Sequence, residues 1–180
     1  MVNFWLSMAV ASVVLLLFVF VGETEHGIPM NPALGYQILL GIGMAAILWG
    51  VFWVGDKVST WMFSFARPQV DAVYGMKGTI PQWMIAVQLL LLTGPAEELF
   101  WRGYVQRYFS ARWNANIGFI VATTLYTLIH IWSFNFMLIM SALVCGLVWG
   151  GLYRFRPQWL PALVVSHAIW DACVFVVLPI

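Results

Sequence analysis

The feature that most constrains this chain is a series of long apolar runs that carry almost no charge. The first, Phe4–Val21, contains no ionisable side chain, and comparable runs follow at Leu34–Val54, Asn116–Trp132, Met137–Tyr153 and Leu160–Leu178. Another starts near Pro81, a favourable first-turn residue, and continues through a polar interruption to about Phe109. A helix needs about 20 apolar residues to cross a bilayer, and these runs meet that length. A transmembrane barrel would instead show short alternating segments. The chain is 63% hydrophobic and only 8% charged over 180 residues, too apolar for a soluble domain of that size. The expectation is an all-α fold, a polytopic transmembrane helical bundle of about six spans with a kinked motif helix. The formal charge of +1 argues against nucleic acid as a partner and leaves the lipid bilayer as the obligatory one. Cys145 and Cys173 both lie in apolar runs, where a small side chain packs, and their spacing matches no metal motif.

One membrane domain is expected to fill 1–180, with N-terminal spans and an interfacial segment over 1–79 and catalytic core helices over 80–180. The first run lacks a preceding Lys or Arg and a following small-x-small site, so it reads as a retained helix, not a signal peptide. The polar stretch that follows holds Glu23, Glu25 and His26 between Pro-based breakers, and His26 reads as a solvated loop residue. Val58–Phe65 is too short to span and is bounded by Lys57 and Arg67, which suggests an interfacial amphipathic segment with a Trp anchor. Gly146-x-x-x-Gly150 marks a close-packing helix face, and the many Trp and Phe read mainly as lipid-facing or interfacial. The basic loops after the third and fifth spans carry four Lys/Arg against three on the other side, which leans towards a cytoplasmic position for them.

Against this apolar background Gly94–Arg107, GPAEELFWRGYVQR, stands out. Ionisable groups at membrane depth are costly and mark functional sites. Pro95 removes a backbone hydrogen bond and predicts a kink beside the two glutamates. Glu98 and Arg102 are i and i+4 and share a face, while Glu97 is turned about 100° away. One carboxylate can therefore be neutralised by Arg102 while the other faces something else. Tyr126-x-x-x-His130 and His167-x-x-x-Asp171 lie in two further runs, and His167 and Asp171 again share a face, where the carboxylate can orient the imidazole. Tyr126 reads as a packing or hydrogen-bonding residue and Asn135 as a helix cap.

Two chemistries fit this set, and both end in hydrolysis. Glu97 can act as a general base on water, with His130 and His167 positioning the water or stabilising an oxyanion. Alternatively His130, His167 and a carboxylate can bind zinc and acidify a bound water. Other classes use the same residues differently. A b-type haem protein would take His130 and His167 as axial ligands, leaving the glutamates and Asp171 without a role. A proton-coupled transporter would relay protons through Glu97 and the histidines. A scaffold without activity would need none of them.

Taken together, Glu97-Glu98-x-x-x-Arg102, aromatic-x-x-x-His130 and His167-x-x-x-Asp171 resemble, in order and spacing, the CPBP family of intramembrane proteases, also called the Abi or CAAX-protease-and-bacteriocin-processing family. The likeness covers about Gly94–Val174. It implies that Glu97 corresponds to the water-activating glutamate, Glu98 and Arg102 to a supporting pair, and His130 and His167 to the catalytic histidines. Asp171 stands where the family often has Asn, proposed to stabilise the oxyanion; an ionised Asp cannot donate, so it would orient His167, donate only when protonated, or ligate a metal. The shortness of the chain is similar to that of compact members resembling sorting-signal proteases. The resemblance therefore implies an intramembrane endopeptidase acting on a membrane-associated, leader or sorting-signal peptide, in the plasma (inner) membrane if the source is bacterial.

Overall fold

The computed structural model describes residues 4–22 and 33–180. His26, Glu23 and Glu25, read as loop residues, lie outside the described residues. Six helices are long and apolar enough to cross a membrane. Helix α1 is Phe4–Gly22 and α2 is Leu34–Met62. A short helix α3, Ala66–Gly75, precedes α4, Gln82–Arg112. Helix α5 is Ala115–Leu128, α6 is Phe136–Phe155, and α7 is Leu160–Ala172, prolonged in π-helical register by Cys173–Val177. The protein is an integral, multi-pass all-α membrane protein.

Lipid is as apolar as a leucine side chain, so helices in a bilayer associate through small residues and polar contacts more than through hydrophobic burial. Each inner seam here follows that rule. On α1 the buried positions Trp5, Ser12 and Val19 recur every seven residues, and Ser12 Oγ donates to Thr93 Oγ1 of α4 at 3.2 Å. On α2, Gln37, Gly41, Ala45 and Leu48 form the buried stripe, and Gln37 Oε1 accepts from the Ala162 backbone N–H of α7 at 3.2 Å. The Gly146 and Gly150 face of α6 meets α5: a Cβ on Gly150 would stand 3.2 Å from Phe119 and Thr123. Asn114 and Asn135 cap α5 and α6 through their side-chain oxygens, the role expected for Asn135.

At three places the structure corrects or adds to the sequence expectation. First, α2 does not stop at Val54. It runs on through Val58–Met62, the segment read as interfacial, to a length of 29 residues. No Gly-Pro or Asn-Pro breaker intervenes, and Asp56 is neutralised by Lys57 Nζ at 3.0 Å and Arg67 Nη1 at 3.5 Å. At 1.5 Å per residue α2 is about 43 Å long, more than the hydrocarbon core needs, so one end projects beyond it. The amphipathic segment lies further on, in α3, where Gln69, Val70, Val73 and Tyr74 turn inward and Pro68, Asp71 and Ala72 face out. Second, α4 continues through Gly94-Pro95 as expected, in a form that the sequence pattern does not give. The Gly94 N–H bonds the Leu89 carbonyl, five residues back, and both Leu89–Thr93 and Leu99–Gln106 are π-helical. A π turn absorbs the donor that Pro95 lacks, and such turns concentrate at functional sites. Third, α5 ends at Leu128, so His130 stands just beyond it, in the turn leading to the 3₁₀ segment Ile131–Ser133.

Candidate active site

The site starts with Gly94. A Cβ there would sit 2.6 Å from the Ala168 Cα, so only glycine lets α4 press against α7 one residue beyond His167. The approach brings the glutamate motif and the histidine motif into direct contact.

Glu98 and Arg102 share a face as their spacing predicts, and both are fully buried. Arg102 Nη1 donates to Glu98 Oε1 at 2.9 Å and Nη2 donates to the Cys145 carbonyl at 3.4 Å. The guanidinium also lies over the rings of Tyr126, at 4.8 Å, and Trp149, at 5.7 Å. A buried ion pair is best tolerated when its remaining groups are satisfied; Arg102 is enclosed in that way, while Glu98 Oε2 has no hydrogen-bond partner among the described residues. The same Glu98 Oε1 also lies 3.0 Å from His167 Nδ1. A carboxylate accepts, so Nδ1 carries the proton and Nε2 faces away from Glu98.

The i, i+4 spacing puts Asp171 beside His167 as expected, with Oδ2 3.5 Å from Nε2, and the structure adds a second carboxylate: Glu98 meets the ring on the opposite side, through Nδ1. Glu97 Oε2 is on the Asp171 side, 3.9 Å from Nε2. Glu97 is thus turned away from Arg102, towards the second nitrogen of His167. That gap is beyond a direct hydrogen bond and suits a bridging water.

Glu97, His167, Asp171, Tyr126 and His130 line one cavity of about 750 Å³. Its remaining wall is mainly apolar, with contributions from α2, α3 and α6. His130 reaches it from the end of α5: Nδ1 donates to the Tyr126 carbonyl at 2.8 Å, which leaves Nε2 as the other ring nitrogen. The three motifs therefore converge, with Glu98, Arg102 and His167 in contact, Glu97 and Asp171 facing Nε2, and His130 on the wall of the same cavity.

Among the described residues no group of three His, Cys, Asp or Glu side chains is disposed to hold a metal ion. Nδ1 of His167 is engaged by Glu98 and Nδ1 of His130 by a backbone carbonyl, so Nε2 is the open nitrogen of each ring.

Several participants carry no sequence signal. Trp149 is fully buried and stacks on His167 with ring centroids 4.0 Å apart, an exception to the reading of the tryptophans as mainly peripheral. Trp5, Trp101 and Trp170 are buried as well, whereas Trp61, Trp83 and Trp132 are exposed. Asp56 on α2, just past the apolar run that ends at Val54, lines the cavity and belongs to no motif.

The three motifs fall within a match to a known family. Residues 79–173 match the family described as type II CAAX prenyl endopeptidase Rce1-like, a stretch that covers more than half of the chain and every residue of the three motifs. The chain belongs to this family. The Rce1-like match and the motif resemblance thus identify the same segment. UPF0177 protein YbdI of Lactococcus lactis subsp. lactis (strain IL1403) is 35% identical over 104 residues, covering 52% of this chain and 56% of the relative. The match thus spans about half the length of that relative. No solved structure matches the chain.

Proposed function

We propose that this protein is an intramembrane endopeptidase in which Glu97 activates the hydrolytic water. The observation that carries the reading is the split between neighbouring glutamates: Glu98 is enclosed with Arg102 and His167, while Glu97 faces the cavity and the second nitrogen of His167. A water between Glu97 and His167 Nε2 would meet both groups. Glu97 takes its proton as the oxygen attacks the substrate carbonyl carbon. The resulting oxyanion can accept from His130 Nε2 when that ring is an imidazolium, because the single proton of the neutral ring is on Nδ1 and is given to the Tyr126 carbonyl. Collapse breaks the C–N bond, and the proton held by Glu97 passes to the departing amine.

Asp171 flanks Nε2 and keeps the imidazole edge polar on that side. Among the described residues no group of three His, Cys, Asp or Glu side chains is disposed to hold a metal ion, and the steps above need only water and these side chains. The apolar cavity supports a peptide that is itself membrane-associated, a leader or sorting-signal segment, entering between α4, α5 and α7. In a bacterium the enzyme would act at the plasma membrane.

The test uses purified protein in proteoliposomes and two quenched-fluorescence peptides, one with an apolar membrane-embedded tail and one with a C-terminal prenylated cysteine. Wild type is expected to cleave the tailed peptide, to do so undiminished after chelation, and to lose cleavage in His130→Ala. Loss of activity on chelation that zinc restores, or full activity in His130→Ala, would contradict the mechanism.

A further inference from the structure

We propose that Trp149 is a positioning residue that sets the plane of the His167 ring; this rests on the role given to His167 above. A single hydrogen bond from Nδ1 to Glu98 fixes one direction in the imidazole and leaves the ring able to turn about that direction. What stops it is the indole of Trp149, parallel to within 20° and with its centroid 4.0 Å away. Offset stacking at this distance has a preferred geometry and is stabilising beyond simple burial.

The indole is itself held. Trp149 Nε1 donates to Ser166 Oγ at 3.1 Å, on the residue immediately before His167. The edge of Trp170 meets it at 5.8 Å, and the Arg102 guanidinium lies over its ring. Trp149 is the largest of the fully buried side chains. The result is a closed chain of contacts, Arg102 to Glu98 to His167 to Trp149 and back to Arg102. In-plane direction comes from Glu98 and the tilt of the ring from Trp149. Together they aim Nε2 at the gap shared by Glu97 and Asp171. Small misplacements of a reacting group are costly in rate, so such a ring has a kinetic role distinct from its bulk.

The test compares Trp149→Phe, which keeps an aromatic face but gives up bulk and the Ser166 bond, with Trp149→Leu, which has no face. Trp149→Met carries the same comparison should the Leu variant fail to fold. Turnover is measured in proteoliposomes on the tailed peptide, and the His167 ring protons are followed by NMR in histidine-labelled protein, assigned by loss of the signal in His167→Asn. The expected result is kcat lowered about tenfold or more with KM unchanged in Trp149→Leu, and kcat close to wild type in Trp149→Phe. The His167 ring protons, shielded by the indole in wild type, move downfield in the Leu variant and much less in the Phe variant. Equal losses in Phe and Leu, an unchanged kcat in Leu, or ring protons that do not move would overturn the assignment. Glu97→Gln run alongside separates the two readings: activity retained there removes the role of Glu97, while the ring-proton comparison still decides the role of Trp149.

Discussion

Two carboxylate–arginine clusters in this molecule use the same chemistry in opposite surroundings. In one, Glu98 and Arg102 are sealed between α4, α6 and α7, and each is 2% exposed or less. In the other, Arg67 on α3 joins Asp71 at 2.7 Å and the buried Asp56 at 3.5 Å, with Arg67 39% and Asp71 61% exposed along their side chains. Water and salt reach the Arg67–Asp71 pair, whose charges are worth little. The doubled hydrogen bond to Asp71 nevertheless holds the Arg67 guanidinium above its ordinary pKa, so it stays charged. The buried pair cannot be broken without leaving a charge in a low-dielectric interior. Burial therefore makes one pair a fixed point from which His167 is aimed. The other is a clasp that ties α3 to the projecting end of α2 beside the cavity.

Breaking the buried cluster should have the largest effect. Glu98→Gln strands Arg102 and is expected to lower stability by about 3–5 kcal/mol, read as a large drop in melting temperature in detergent. A variant that melts like wild type would show that Arg102 finds other partners. Next comes the approach that makes the cluster possible. Gly94→Val forces a side chain into the Ala168 backbone and should cost about 1–3 kcal/mol, with turnover lost in whatever fraction still folds. Arg67→Ala should cost about 1 kcal/mol or less, and the wild-type contribution should fade as salt is raised; insensitivity to salt would mean the clasp is better shielded than its exposure indicates. The smallest effect is assigned to Lys57, whose side chain is 58% exposed: Lys57→Ala should leave melting and turnover within experimental scatter.

Much of this could be read from the chain because membrane depth makes every polar residue conspicuous. Glu97, Glu98, Arg102, His130, His167 and Asp171 stand out from apolar runs, and i, i+4 spacing alone gave the Glu98–Arg102 pair. The same spacing brought Asp171 to the His167 ring without telling which nitrogen it meets. That depends on how α4 docks against α7, and the docking is set by Gly94. Trp149 was illegible for a different reason: in a chain with 11 tryptophans no local pattern marks the one that stacks on a histidine. The end of α2 was misjudged because Asp56 and Lys57 read as a boundary, whereas their charges are answered by each other and by Arg67 from the next helix.

The central claim is that neighbouring glutamates have separate duties, Glu98 in architecture and Glu97 in chemistry. It is tested most directly by turnover of Glu97→Gln in proteoliposomes, in protein whose melting temperature is measured on the same sample. The account predicts wild-type melting with turnover reduced about a hundredfold or more, the usual scale for removing a general base. A folded Glu97→Gln protein that cleaves the tailed peptide at the wild-type rate would contradict it.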